Sequence, residues 1–234
     1  GTTLRATQIT LVRDDEEAQR LLPGFAFEEE ELVTCHVAGD VRIWSDFRIG
    51  GEGYGRTLIA ANGAAEGDLT RTVQRVQELG NYRNLALLGL PIAQACWPLL
   101  DKAEAHLRQI GENLVKTDVR DDELMDQITS LSMEIAAIAS SANYRMSATA
   151  AYGQLTDERI NDLKPESIRG YPSLVDFTQR RLHPAVRTCA AFTRREQQVA
   201  TRAGQLTGLL RTRIETRIEN QNAQLLASME RSSS

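Results

Sequence analysis

Two hydrophobic patterns divide the chain, and the first has the period of a β-sheet. Residues 4–12 are rich in Thr, Leu, Ile and Val and predict a strand. The acidic run 14–17 predicts the start of a short helix, since carboxylates stabilise a helix N-terminus, and Pro23 and Gly24 predict its end. Residues 41–49 then alternate between two faces of a strand. One face holds Val41, Ile43, Phe47 and Ile49, and the other holds Arg42, Trp44, Asp46 and Arg48.

Turn-forming glycines separate this stretch from the strands on either side of it. The glycines within residues 50–55 precede a strand rather than a helix, so a hairpin turn is favoured over a phosphate-binding loop. The pattern predicts an antiparallel meander of three strands, with the first strand and helix packed on it. We assign residues 1–65 to a small α+β domain, and we expect this domain to be incomplete on its N-terminal side.

From residue 66 onward the hydrophobic period is helical. The nearly apolar run 85–100 contains two prolines and is too short to span a bilayer, so it predicts a buried, kinked core helix that includes Leu88. A second long helix starts near Asp121, and its apolar residues step by four and three, as in a heptad seam. The seam residues are Leu124, Ile128, Leu131, Ile135, Ile138 and Ala142. We assign residues 66–172 to this helical region.

The last segment, residues 173–234, predicts a long basic helix. Ser173 and Asp176 have the spacing of a capping box at its start, and Pro184 is expected to kink it early. Its apolar positions recur with a mean spacing of about 3.7 residues, which is close to the eleven-residue repeat of a straight helix. We predict that it runs antiparallel to the second long helix and ends in a stalk with an interaction seam. The seam residues are Leu210, Ile214, Ile218, Gln221, Leu225 and Met229.

Composition supports a mostly helical α+β fold, because hydrophobic residues make up 41% of the chain and aromatic residues only 5%. The net charge of −5 gives no reason to expect nucleic acid as a partner. The charge is uneven, since residues 180–231 contain ten arginines and four glutamates, a net charge of +6. Basic residues beside a membrane segment mark the cytoplasmic side, but a solvated helix face with charge pairs four residues apart has the same pattern. Both interpretations stay open at this stage.

No combination of nucleophile, base and acid stands out in the chain. We therefore predict no catalytic and no cofactor-binding residue, and we expect the protein not to be an enzyme. The three histidines fall on different predicted elements, which argues against a shared metal site. The acidic runs 14–17, 28–31 and 121–123 offer ligands suited to a hard cation, yet helix N-termini account for the first and third. Three cysteines without metal-type spacing favour a reducing compartment.

Five long stretches, which run from about residue 40 to the C-terminus, carry a resemblance to a known family. They are DVRIWSDFRI, VQRVQELGNYRNLALLGLPIA, ANYRMSATAAY, HPAVRTCAAFTRR and LLRTRIETRIENQNAQLLASMERS. They resemble a family of bacterial membrane-anchored proteins, the domain of unknown function 3422. The resemblance implies that the chain is the soluble part of such a protein, without the two closely spaced transmembrane helices that follow the stalk in this family. It implies no activity and no catalytic residue, because none is established for the family.

The order of parts is also similar to that of CorA-type magnesium channels, which combine a small α/β domain, long helices, a basic stalk and two terminal membrane helices. The first hypothesis is therefore a cytoplasmic domain of an oligomeric membrane protein, located at the cytoplasmic face of the bacterial inner membrane and self-associating in the full-length protein. A channel or regulator role, with a divalent cation such as magnesium, enters only by this analogy, because fold does not imply function. The alternative hypothesis is a non-enzymatic scaffold whose helical hairpin binds a protein partner.

Overall fold

The computed structural model describes residues 6–116 and 118–232, and its fold is mostly helical α+β, as predicted. The strands are β1 Thr7–Val12, β2 Val33–Val37, β3 Val41–Ser45, β4 Gly55–Ala60 and β5 Glu166–Ser167. The helices are α1 Asp15–Phe25, α2 Glu66–Leu87, α3 Gly89–Leu114, α4 Asp121–Leu163, α5 Leu174–Arg181 and α6 His183–Ser232, with a single 3₁₀ turn at Glu29–Glu31.

The chain forms two compact units, each built from two separate stretches. The sheet unit comprises Gly1–Pro91 and Arg145–Ala190, and the helical unit comprises Ile92–Tyr144 and Ala191–Ser234. This division differs from the three consecutive segments predicted from the sequence, because long helices contribute residues to both units.

The sheet of the sheet unit has the strand order β1-β4-β3-β2-β5. Strands β2, β3 and β4 form the predicted antiparallel meander. Strand β1 joins one edge of the meander in parallel with β4, from Thr7 beside Gly55 to Val12 beside Ala60. The other edge is covered by β5, which pairs antiparallel with β2 and was not predicted. A two-residue strand has too few positions for a hydrophobic alternation, so its sequence carries no strand signal.

Both faces of the sheet are covered by other elements of the sheet unit. On one face, Cys35, Ile43 and Ile59 belong to a core that includes residues of α2, α4 and α5. On the opposite face, Trp44 is buried in a second cluster with Leu58 and residues of β1 and α1. Strand β3 also ends at residue 45, so the predicted alternation stops before the end of the 41–49 stretch.

Polar contacts fix α1 on that second face. The Arg42 guanidinium lies 4.5 Å from the centre of the Trp44 ring and donates a 2.8 Å hydrogen bond to Asp15 Oδ2. Asn62 donates a 2.8 Å hydrogen bond to the other oxygen of the same carboxylate. Hydrogen bonds from these donors lower the pKa of Asp15, although its burial opposes them. Arg42 is thus a packing residue rather than a solvated one.

The helical unit contains parts of α3, α4 and α6. All six predicted seam residues of α4 are buried, so the heptad prediction is confirmed. Helix α4 runs antiparallel to both neighbours, because Cys96 of α3 lies beside Ser141 while Arg213 of α6 lies beside Asp121. The buried residues that α3 contributes recur at heptad spacing; they are Ala93, Cys96, Leu100, Ala103, Leu107 and Ile110.

The predicted capping box at Ser173 is confirmed, but it starts a separate short helix. Helix α5 ends at Arg181, and α6 begins at His183 after a buried Leu182. Pro184 therefore falls in the first turn of α6, where the missing N–H would have no helical partner and the fixed φ is favourable. The expected kink at Pro184 is thus replaced by a helix boundary.

The apolar run 85–100 is interrupted and only partly buried, which corrects a second prediction. Helix α2 ends at Leu87 and α3 begins at Gly89, and Leu88 between them is 37% exposed. A Cβ atom at position 89 would lie 3.0 Å from Thr149 Cβ and closer still to its hydroxyl, so only glycine fits this contact. The Thr149 hydroxyl donates a 2.9 Å hydrogen bond to the Ala86 carbonyl at the end of α2.

The first testable prediction compares Leu88 with Leu100, which is fully buried in the helical unit. Leu100→Ala leaves a cavity and should lower the free energy of unfolding by about 2–5 kcal/mol. Leu88→Ala should cost about 1 kcal/mol or less, because its side chain already contacts solvent. Urea unfolding of both variants measures the difference, and equal losses would show that Leu88 is packed.

The second prediction concerns Glu196, which is 6% exposed on α6 in line with buried Phe192 and Val199. Within the described residues it has neither a hydrogen bond nor an ion pair, and burial raises the pKa of its carboxyl. The folded protein thus binds this proton more tightly than the unfolded chain does. The stability it contributes is complete below the ordinary pKa and is lost as the pH rises through the folded value.

Glu196→Gln should therefore be more stable than the native chain at neutral pH, with the difference shrinking as the pH falls to mildly acidic values. Urea midpoints measured across this range test it. The matched control is Glu215→Gln on the same helix, where the carboxylate is exposed. A difference in stability between Glu196→Gln and the native chain that stays constant with pH would mean that Glu196 does not titrate in this range.

Candidate interaction surface

The six predicted seam residues of α6 fall into two groups. Leu210 is buried and Ile214 is half-buried within the helical unit. Ile218, Gln221, Leu225 and Met229 are exposed, and they belong to a stretch in which every residue from 218 to 231 is exposed. We call residues 218–231 the terminal segment. The seam residues therefore divide into a part that packs within the helical unit and a part whose side chains are exposed.

The terminal segment carries an apolar face that contacts solvent. Ile218, Leu225, Leu226 and Met229 are between 51% and 64% exposed. Ile218, Leu225 and Met229 lie on one side of the helix, since they are separated by seven and four residues. Leu226 widens this apolar stripe and was not predicted, because it lies one position outside the regular seam.

Arg213 fixes α6 immediately before the terminal segment. Its guanidinium donates hydrogen bonds to the Leu114 carbonyl at the end of α3 and to the Val119 carbonyl, 3.1 Å away, in the connection to α4. Its Nε lies 2.9 Å from Asp121 Oδ1 at the start of α4. The Arg213 guanidinium therefore supplies a donor to a carbonyl at the end of α3 and to another in the connection to α4, and it forms an ion pair with the first residue of α4.

Arg217 completes this ion-pair cluster with a 2.9 Å hydrogen bond to Asp121 Oδ2. The side chains of Arg213 and Asp121 are each 17% exposed, so the pair is largely shielded from water. Asp121 Oδ1 is buried and accepts no aligned hydrogen bond, so its contact with Arg213 is ionic only. This cluster was not predicted, although two arginines four residues apart and an acidic helix start are visible in the sequence.

The charges beside the apolar stripe differ between its two flanks. On a helical projection, Glu215 and Glu219 lie on one side of the stripe and Arg217 lies on the other. Neither glutamate has a hydrogen bond or ion pair with any residue that the structure describes. The surface thus offers an apolar stripe between one acidic flank with solvent-exposed carboxylates and one basic flank.

The acidic runs act in local structure. Asp14 caps α1 by accepting a hydrogen bond from the Glu17 N–H, and Asp121 starts α4 within the arginine cluster. The run at 28–31 forms the 3₁₀ turn, where Glu31 pairs with Arg181. Residues 6–116 and 118–232 contain no group of three or more His, Cys, Asp or Glu side chains placed to hold a metal ion.

The cysteines and histidines form no reactive group with one another. All three cysteines are buried and unpaired with each other, and burial raises the pKa of Cys35 to about 11, which keeps its thiol protonated. His36 lies on β2 and His106 on α3, while His183 at the start of α6 lies 2.9 Å from Asp157 Oδ1. Cys35 is buried and His36 is partly exposed, because adjacent strand residues point to opposite faces.

No helix in the described part of the chain is both long enough and apolar enough to cross a membrane. The buried apolar residues of α3 and α4 form seams along one side of each helix.

The third prediction tests the Arg213 cluster. Arg213→Met leaves Asp121 with one cation and two carbonyls without their donor, so it should destabilise the chain by about 2–3 kcal/mol. Faster hydrogen exchange of the amides around residues 115–123 should accompany the loss. Arg211→Met, an exposed arginine with no ion pair in the described residues, is the matched control and should have little effect. Similar losses in both variants would contradict a specific role for Arg213.

The comparisons with known proteins yield a single family. The family model described as a protein of unknown function, DUF3422, matches residues 1–234, so it also covers the first 39 residues, which the sequence resemblance had not included. No curated protein and no solved structure matches the chain. The chain therefore belongs to the DUF3422 family, a family of proteins of unknown function.

Proposed function

We propose that this chain is the cytoplasmic domain of a membrane-anchored homo-oligomer, in which the terminal segment of α6 packs in parallel against the same segment of neighbouring copies. The observation that carries the proposal is the exposed apolar stripe of Ile218, Leu225 and Met229. Burying such side chains stabilises an assembly by roughly 25 cal/mol per Å² of apolar surface removed from water. A stripe that follows one helix face fits another helix better than it fits a globular surface.

Charge favours a second copy of the same chain as the occupant. When two identical helices pack in parallel, the flank on one side of the seam faces the opposite flank of the neighbour. Glu215 and Glu219 would then face the basic flank of the next copy, where Arg217 keeps 42% of its side chain exposed. An antiparallel pair would instead place like flanks together, at an electrostatic cost. Parallel packing also suits subunits that are anchored at one membrane.

Gln221 gives this seam a register. It lies between Ile218 and Leu225 on the apolar stripe, where a polar residue reduces stability but favours the arrangement in which its amide finds a partner. In a symmetric assembly the Gln221 amides of neighbouring copies could hydrogen-bond to each other. Such a seam stabilises assembly modestly and selects the partner strongly.

Membrane attachment would strengthen a modest seam. The family resemblance led us to expect two membrane helices after the stalk, and the ten arginines of residues 180–231 suit the cytoplasmic side of a membrane. Anchoring raises the local concentration of subunits, so a contact that is weak in dilute solution can be occupied at the membrane. The location at the inner membrane thus forms part of the proposal.

The proposed role of the chain is self-assembly, and we propose no catalysed reaction for it. The cation-channel analogy stays a prediction about architecture, because it names no ligand among the described residues. The scaffold hypothesis shares the same exposed stripe but places a different protein on it. The two alternatives differ in the identity of the neighbour, which cross-linking can determine.

The fourth prediction is that copies of the full-length protein cross-link to each other through the stripe. Gln221→Cys and Met229→Cys place thiols on it, and the native cysteines are buried, which limits background reaction. In membranes from cells producing the full-length protein, a short thiol cross-linker should link like to like at both positions. Parallel packing requires cross-linking at both positions, because it brings identical residues of neighbouring copies together along the whole seam.

Ala223→Cys is the control, since Ala223 lies on the opposite side of the helix and should not cross-link. Adding Ile218→Asp and Leu225→Asp should abolish the products, whereas adding Ala223→Asp should not. Products that contain only other proteins would favour the scaffold. Monomers alone would refute self-assembly, and release of the protein by an alkaline wash would refute its anchoring.

A further inference from the structure

We infer that the outer edge of strand β1, the edge directed away from β4, is an interaction surface at which β1 of a second copy of this chain pairs in antiparallel orientation. Strand β1 is the outermost strand of the sheet, and among the residues that the structure describes only β4 pairs with it. The edge belongs to the sheet unit, whereas the terminal segment belongs to the helical unit. The contact therefore goes beyond the proposed function and can be tested separately.

The hydrogen-bonding groups of β1 divide between its two sides. The carbonyls of Ala6 and Val12 accept 2.9 Å hydrogen bonds from backbone amides on the β4 side. Successive residues of a strand direct their N–H and C=O groups to opposite sides, so the even-numbered residues of β1 face β4. Thr7, Ile9 and Leu11 therefore direct their backbone N–H and C=O groups towards the outer edge, where a further strand would pair with them.

The two edges of the sheet differ in how they resist such pairing. Proteins commonly protect an exposed edge with a short strand, a charge, a proline or a bulge. The β5 edge has a strand of two residues, with Pro165 before it and the charged Glu166 in it. Strand β1 pairs with β4 over six consecutive residues without a bulge, and residues 6–12 contain neither a charge nor a proline. A regular edge without these features is typical of a strand that pairs with another strand.

An exposed apolar side chain accompanies the outward backbone groups. Alternate residues of a strand share a face, so the side chains of Thr7, Ile9 and Leu11 lie on one face of the sheet. Ile9 packs against the core to which α2 contributes, whereas Leu11 is 51% exposed. A strand added at this edge would place its own side chains beside Leu11 and remove apolar surface from water.

The self-complementarity of β1 favours a second copy as the occupant. When Ile9 of one copy lies opposite Ile9 of the other, Thr7 of each copy lies opposite Leu11 of the other. In this register every outward residue exchanges two hydrogen bonds with an outward residue of the neighbour. The opposed side chains are then β-branched or apolar, which stabilises cross-strand pairs, and no charged residue lies within the paired stretch. The pairing has twofold symmetry, so it joins copies in pairs.

The strand pair forms a small contact. Stable protein complexes bury roughly 1,200–2,000 Å² of surface in total, and one strand of six residues from each copy supplies a smaller interface. The contact should therefore be weak in dilute solution and occupied where copies are concentrated.

Amide hydrogen exchange of the full chain, followed by NMR, measures each side of β1 separately. The amides of residues 8 and 10 face β4 and should be protected at every concentration. The amides of Thr7, Ile9 and Leu11 should exchange quickly in dilute solution, and their protection should rise by about tenfold or more as the concentration approaches the millimolar range. Protection of these three amides that is the same at every concentration would assign the edge to a segment of the same chain and overturn the inference.

Leu11→Pro should abolish this rise, because it removes an outward N–H that does not bond to β4. Continued protection of residues 8 and 10 in the variant would show that the sheet itself is intact. Leu11→Val is the matched control, since it keeps the N–H and an apolar side chain, and it should retain the rise. A rise that survives Leu11→Pro would contradict edge pairing.

Disulfide trapping tests the direction and register of the pair. In the inferred register Gln8 of one copy lies opposite Thr10 of the other, with Cα atoms about 4.5 Å apart, which is within the range for a disulfide. In membranes that contain differently tagged full-length Gln8→Cys and Thr10→Cys proteins, disulfides should join unlike variants. The native cysteines are buried, which limits background reaction.

Disulfides between like variants would indicate a parallel pair, and their absence in both combinations would indicate that β1 does not pair with itself; either result would overturn the inference. Adding Ile218→Asp and Leu225→Asp separates this contact from the seam of the terminal segment. Exchange protection at high concentration should persist in that double variant, so a failure of the seam and a failure of the strand pair give different results.

Discussion

The structure depends on the continuous row of buried side chains along α4. In this helix of 43 residues, the buried row steps by three and four residues from Leu124 to Leu163. In the helical unit its members are mostly large, such as Leu131 and Ile135. In the sheet unit the row includes Thr149, Gly153 and Thr156, which are small and allow neighbouring backbones to approach. The Thr149 hydroxyl donates to the Ala86 carbonyl and the Thr156 hydroxyl to the Tyr152 carbonyl, so both buried hydroxyls have hydrogen-bond partners.

Polar groups act mainly where helices start and end. The Thr149 hydroxyl bonds to the last turn of α2, Ser173 and Asp176 cap α5, and Arg213 covers the end of α3 and the start of α4. Each replaces a partner that the helix itself cannot supply. Glu196 is different, because it lies within a buried row and has no compensating charge among the residues described. The chain therefore tolerates one costly carboxylate in a position where an apolar residue would be more stable.

The sequence predicted the features that neighbouring residues encode and missed those that depend on residues distant in the chain. The α4 seam, the meander and the Ser173 capping box follow from neighbouring residues, and all three were confirmed. The burial of Trp44 was not predicted, because nothing in its own strand encodes the cover provided by α1. Arg213 was missed because its partners are backbone carbonyls and one aspartate nearly a hundred residues away.

The contact at Gly89 couples two distant positions of the chain. Because a side chain at position 89 would occupy the space of the Thr149 hydroxyl, neither position can change freely while the other is kept. A larger residue at 89 would require a smaller one at 149 and would also remove the hydroxyl that bonds the Ala86 carbonyl. Within this family, residues 89 and 149 should therefore change together, even though sixty residues separate them in the sequence.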